Sequence, residues 1–71
     1  MRSNWVYIQK NEFLHWMKEI SMTHQIVTDE FQEKVTFSIV TPEGNIDCLQ
    51  KVEHYYGVSY YKNIEIIGSV E

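Results

Sequence analysis

The sequence contains one cysteine, one proline and three glycines among its 71 residues. A single cysteine, Cys48, excludes an internal disulfide and a zinc site built from cysteines. The isolated glycines leave no glycine-rich loop of the kind that cradles phosphates. The three histidines show no metal-ligand spacing such as H-x-x-x-H. We therefore expect no metal or cofactor and predict that the protein is not an enzyme.

Long apolar runs are also missing. Nowhere do about eighteen apolar residues follow one another, which is the length that predicts a membrane-spanning helix. The first ten residues, MRSNWVYIQK, lack the apolar run of a signal peptide. These absences predict a cytoplasmic protein that does not bind membranes.

Positive charge is scarce, because six lysines and arginines stand against ten aspartates and glutamates, giving a formal net charge of −4. Most of the acidic excess falls within residues 21–50. An acidic domain repels phosphate backbones, so direct binding of nucleic acid is disfavoured. The same charge suits a basic protein as partner.

Aromatic side chains, in contrast, are abundant: five tyrosines, three phenylalanines and two tryptophans exceed what so small a core needs. Tyrosine and tryptophan are residue types that anchor protein interfaces. Four tyrosines lie within seven residues, around Gly57. We predict an interaction patch formed by Tyr55, Tyr60 and Tyr61 together with Trp5 or Trp16. The alternative is a tyrosine-rich rim around the core, with the hydroxyl groups in water.

The clearest element is a strand at Lys34–Thr41 (KVTFSIVT), whose apolar residues alternate and are mostly β-branched or aromatic. Apolar residues on both faces place it centrally in its sheet. The sequence TPEGN then predicts a tight turn in which Gly44 has a positive φ. The length of the chain predicts one domain over residues 1–71.

The N-terminal half predicts a strand at Trp5–Gln9 and a helix of about ten residues that begins after Asn11 as N-cap. Phe13 and the apolar residues that follow it at helical spacing would face the sheet. His24–Thr28 is a weaker strand candidate. Asp29–Glu33 is predicted to be an acidic connecting segment.

The stretch after the turn is ambiguous. Residues 46–52 alternate as the return strand of a hairpin would. Yet Asp47 and Gln50 have capping-box spacing, an apolar stripe ends in Tyr56 as a buried residue, and Gly57 suits a helix C-terminus. We favour a helix over residues 48–56, with a last strand at Asn63–Val70.

These elements give an α+β domain of two layers in β-α-β-β-α-β order, the ferredoxin-like arrangement. The alternative is an antiparallel meander of three or four strands with one helix across it. The predicted function is that of a small acidic protein-binding or regulatory module, not a catalyst. Its partner would be another protein, as for an inhibitor that docks on a basic surface, or a second copy of itself.

Two other classes of function stay open. Residues 52–59 look in passing like the turn of a helix-turn-helix protein, and the predicted strand order would also fit an RNA-recognition-type sheet. The charge disfavours both. A small enzyme would need Cys48, His54 and Asp47 or Asp29 to converge in a pocket, and no sequence feature beside the cysteine supplies an oxyanion hole.

Overall fold

The computed structural model describes residues 4–64 of the chain. This part of the chain holds one helix and five strands, which are β1 (Trp5–Ile8), α1 (Lys10–Thr23), β2 (Ile26–Phe31), β3 (Lys34–Thr41), β4 (Gly44–His54) and β5 (Gly57–Asn63). The strands form one antiparallel sheet in the order β1-β5-β4-β3-β2. The domain is therefore α+β. The ferredoxin-like order is wrong, and the meander with one helix describes residues 4–64 except that the sheet has five strands.

The prediction of a helix over residues 48–56 fails because this segment is most of β4 and the turn after it. β4 pairs with β3 on one side and with β5 on the other. Two-residue turns at either end bring both neighbours directly alongside it. Pairing on two sides satisfies the backbone N–H and C=O groups of β4 as fully as a helix would. The local capping signals are outweighed by this long-range pairing.

A β-bulge interrupts the alternation of side chains in β4. Phe37 pairs with Leu49 while Ser38 pairs with Asp47, so Cys48 is an extra residue in β4. The bulge lets two consecutive side chains, Cys48 and Leu49, lie in the same core, and both are 0% exposed. Strict alternation is thereby lost at the centre of the strand.

The core lies between α1 and one face of the sheet, which we name the inner face. Its buried apolar residues are Ile8, Phe13, Ile39, Cys48 and Leu49. The Phe13 ring of α1 reaches the sheet at two rings, with centroid separations of 5.6 Å to Phe37 and 4.6 Å to Tyr60. Phe37 and Ile39 of β3 therefore face the helix.

A single ion pair within residues 4–64 joins the helix to the sheet. The ammonium of Lys62 in β5 lies 2.8 Å from Oε2 of Glu12 in α1. The indole N–H of Trp16 donates to the same oxygen at 3.1 Å, and the ammonium lies 5.8 Å from the centroid of the Trp16 ring. Hydrogen bonds from Lys62 and Trp16 hold the pKa of Glu12 below its ordinary value. The first turn of α1 is thereby fixed over β5.

Several boundaries differ from expectation. Strand β1 ends at Ile8, and α1 runs for 14 residues with Gln9, not Asn11, as its N-cap. Strand β2 extends to Phe31, so the acidic connection shrinks to Gln32 and Glu33. Strand β5 begins at Gly57, and most of the predicted strand at 63–70 lies outside the described residues.

The turn between β3 and β4 follows the prediction, because Gly44 has a φ of 131°. A Cβ added there would meet no atom within 4 Å, so a substitution acts through backbone strain alone. We expect Gly44→Val to lower the free energy of unfolding by about 1 kcal/mol or more. Chemical denaturation measures this, with Glu43→Val as the control. An unchanged midpoint for Gly44→Val would contradict the strain.

Candidate interaction surface

Two hairpin turns lie at the same end of the sheet. Gln32–Glu33 joins β2 to β3, and Tyr55–Tyr56 joins β4 to β5. Alternate turns of a meander fall at the same end, and the backbone N–H of Glu53 donates to the carbonyl of Glu33 at 2.9 Å. We name this surface, made of Phe31, Glu33, Glu53, Tyr55 and Tyr56, the hairpin end.

The aromatic side chains of the hairpin end are exposed to solvent. Tyr55 is 92% exposed, Tyr56 90% and Phe31 66%. The two tyrosine rings contact each other edge to face, with centroids 4.9 Å apart and planes at 84°. The prediction that Tyr56 is buried is wrong, because the helix that would have buried it is a strand and a turn. Tyrosine is one of the residue types enriched at protein interfaces.

The same surface carries two glutamates at opposed backbone positions. Glu33 and Glu53 continue the β3–β4 pairing, in which Lys34 pairs with Val52, by one residue. Like charges directly opposite each other across a sheet are destabilising. Within residues 4–64 the one ion pair is that of Lys62 and Glu12, so neither carboxylate has a salt-bridge partner in this part of the chain.

A depression of about 370 Å³ lies between these groups. Its lining residues are Glu33, Glu53, His54 and Tyr55. The His54 ring is held on one side by a 2.9 Å hydrogen bond between Nε2 and the Ser59 hydroxyl. Carboxylates beside an aromatic face are suited to a cationic side chain, through charge-assisted hydrogen bonds and cation–π attraction.

The five residues predicted to form an interaction patch lie in different places. Tyr55 belongs to the hairpin end, whereas Tyr60 faces the core against Phe13. Tyr61 lies on the opposite, outer face with its ring 5.9 Å from that of Tyr7, and Trp5 shares that face by alternation. Trp16 lies on α1, bonded to Glu12. The structure therefore does not gather these residues into one patch.

Sequence reasoning missed Phe31, Tyr56 and the two opposed glutamates as members of one surface. A usable signal was present, since Phe31-Gln32-Glu33-Lys34 and His54-Tyr55-Tyr56-Gly57 each place two residues between strand-forming segments. Reading both as two-residue hairpin turns of a meander would have brought them to one end of the sheet.

The residues considered for catalysis do not converge. Cys48 is fully covered on the inner face, and burial raises the pKa of its thiol. His54 lies at the exposed end of β4, and its partner is Ser59. In the described part of the chain, no three histidine, cysteine, aspartate or glutamate side chains are placed to hold a metal ion.

The helix-turn-helix interpretation loses its structural basis, because residues 52–59 belong to β4, its turn and β5. The RNA-recognition interpretation depended on the β-α-β-β-α-β order, which the chain does not adopt between residues 4 and 64.

Among the helices of residues 4–64, none has the length and apolar character needed to cross a membrane. Comparison of the chain with models of protein families, with curated proteins and with solved structures finds no match.

Proposed function

We propose that this chain is a non-catalytic, acidic binding module that acts in the cytoplasm by docking on a basic surface of another protein, as a regulator or inhibitor would. The hairpin end is the docking surface. The observation that carries the proposal is the placement of the exposed Tyr55 beside two carboxylates that form no ion pair within residues 4–64, at an end of the sheet where Tyr56 and Phe31 are also exposed.

Both features gain free energy when a partner covers them. Burying an exposed tyrosine at the centre of an interface contributes typically about 2 kcal/mol, as measured by alanine substitution. A cation placed between Glu33 and Glu53 relieves their mutual repulsion and forms charge-assisted hydrogen bonds. Covering this surface with a basic protein is therefore energetically more favourable than leaving it exposed to water.

The negative charge of the hairpin end also favours one class of partner over the others. A nucleic acid would bring phosphates towards Glu33 and Glu53, which repel them. A second copy docking through the same surface would bring the same carboxylates into contact. A basic protein meets neither penalty, and this is why we favour it over self-association and over nucleic-acid binding.

The test is a titration with a purified partner. Proteins retained from a cell extract by the immobilised parent chain are identified, purified and titrated by calorimetry against variants. We expect Tyr55→Ser and Tyr56→Ser each to weaken binding by about thirtyfold. Met22→Ser, at a 68% exposed position on α1, is the control and should bind within about twofold of the parent. Equal affinity of all four proteins would contradict the proposal.

Glu53→Gln is expected to change stability and binding in opposite directions. Removing one of two carboxylates at opposed backbone positions should raise the free energy of unfolding by about 0.2–1 kcal/mol. The same change removes an acceptor for the partner's cation and should weaken binding by about tenfold. Denaturation and calorimetry on the same samples measure the two effects. Loss of both stability and binding would indicate a structural role for Glu53 instead.

A further inference from the structure

Strand β2 is an edge of the sheet that no other described strand covers. It lies last in the order β1-β5-β4-β3-β2 and pairs only with β3 among residues 4–64. Helix α1 packs mainly against β5, which lies three strands away from β2 in the sheet. Four consecutive residues of β2, from Thr28 to Phe31, are exposed.

The pairing register shows which backbone groups face the open edge. The N–H of Val40 donates to the carbonyl of Gln25 at 2.9 Å, so these two residues form a hydrogen-bonded pair that continues the β2–β3 register. In an antiparallel ladder every second pair is hydrogen-bonded. The bonded pairs of β2 are therefore those of Val27, Asp29 and Phe31. The backbone N–H and C=O groups directed away from β3 are those of Ile26, Thr28 and Glu30.

Negative charge is the main protection of this edge against pairing with a second copy. Edge strands are commonly blocked by proline, lysine or a bulge, and β2 has none of these. It carries Asp29 and Glu30 instead. These carboxylates disfavour the identical strand of a second copy and favour a strand that carries cations.

We infer that β2 accepts an extended, lysine- or arginine-bearing segment of the partner protein as a sixth strand of the sheet. The inference rests on the proposed function and specifies how the partner is bound. The segment's backbone bonds to Ile26, Thr28 and Glu30, and its cations lie beside Glu30 on the inner face or beside Asp29 on the outer face. An added strand on β2 runs alongside Phe31, so the edge and the hairpin end form one continuous docking surface.

The probe is a blocked peptide of about eight residues that alternates lysine with valine, and a glutamate–valine peptide is its matched control. Amide exchange of the isotope-labelled chain is followed by NMR. In the free protein we expect fast exchange at Ile26, Thr28 and Glu30 and slow exchange at Val27 and Asp29. The cationic peptide should slow the first set by about tenfold or more, and the acidic peptide should not.

A proline substitution supplies the matched variant. Thr28→Pro removes an N–H that faces the open edge and leaves every β2–β3 bond in place, so the domain should stay folded. It should weaken binding of the cationic peptide by about tenfold or more. Thr28→Ser keeps the N–H and should bind as the parent does. If Thr28→Pro fails to fold, the exchange data on the parent still decide the question.

The remaining outcomes of these experiments distinguish strand addition on β2 from other modes of binding. Peptide-induced changes confined to the hairpin end, or equal binding by Thr28→Pro, would overturn strand addition and leave the proposed function standing. Slow edge exchange in the free protein, together with a solution mass of two copies, would show that a second copy occupies the edge. Equal binding of the acidic peptide would overturn the charge argument. Loss of partner binding on Thr28→Pro but not on Tyr55→Ser would refute the proposed docking surface instead.

Discussion

Leu49→Ala is expected to remove about 2–5 kcal/mol of unfolding free energy, the largest effect of any single truncation that we propose. Leu49 is 0% exposed, follows the bulge residue Cys48 in β4 and lies in the core with Phe13 of α1. A domain of this size has a total stability near the low end of about 5–15 kcal/mol. About 0–3 kcal/mol would then remain, so the Leu49→Ala protein should be marginally stable at room temperature and, at the upper end of the loss, about half unfolded.

The matched control is the same substitution at Leu14, which is 52% exposed on α1. Leu14→Ala should change the free energy of unfolding by no more than about 0.5 kcal/mol, since alanine also has a high helix propensity. Denaturant titration followed by circular dichroism compares the two. Similar midpoints for both variants would show that the core does not lie where the bulge places it.

The second large effect is expected at the ion pair between α1 and β5. Glu12→Gln removes a carboxylate from contact with Lys62, which is only 8% exposed. Removing a carboxylate from contact with a covered ammonium is costly, although the partial exposure of Glu12 lets water replace some of the interaction. We expect a loss of about 1–2 kcal/mol. In a Lys62→Met background the same substitution should have little effect, because no charge then needs a partner.

A double-mutant cycle on Glu12 and Lys62 measures this coupling directly. A coupling energy near zero would mean that the ion pair does not hold α1 on the sheet.

The ion pair also predicts how stability depends on pH. The pKa of Glu12 is lowered in the folded state by Lys62 and Trp16. The stabilisation is fully present above the pKa of the unfolded chain, about 4.3, and is lost as the pH falls through the lower folded value. Lys62→Met should flatten this acid-range dependence. Identical pH profiles of parent and Lys62→Met would contradict the assigned cause.

The strand at Lys34–Thr41 could be predicted to the residue, because β propensity, alternation and a following turn all agree. The positive φ of Gly44 followed from the same turn. Strand β4 could not, since the Asp47–Gln50 spacing, an apolar stripe ending in Tyr56 and Gly57 all agree locally with a helix, while the bulge at Cys48 interrupts the alternation of the strand. Bulges depend on pairing with a neighbouring strand, which local sequence patterns do not contain.

For the candidate site, the sequence predicts the residue types but not which residues lie together. The surplus of aromatic residues indicated an interaction surface, and Tyr55 was placed outward as the structure has it. Which aromatic groups share a surface depends on the order of strands and the side of each turn. A helix in place of β4 would bury Tyr56 in the core. It would also separate the β4–β5 turn from Phe31 and Glu33, so the shared surface does not follow from the sequence.

The most direct test of the docking surface is chemical-shift mapping of the labelled chain during titration with its purified partner. We expect the largest amide shifts at Phe31, Glu33, Glu53, Tyr55 and Tyr56, extending along β2, with small changes on α1. Shifts centred on the outer-face aromatic residues Trp5, Tyr7 and Tyr61, with the hairpin end unchanged, would contradict the account.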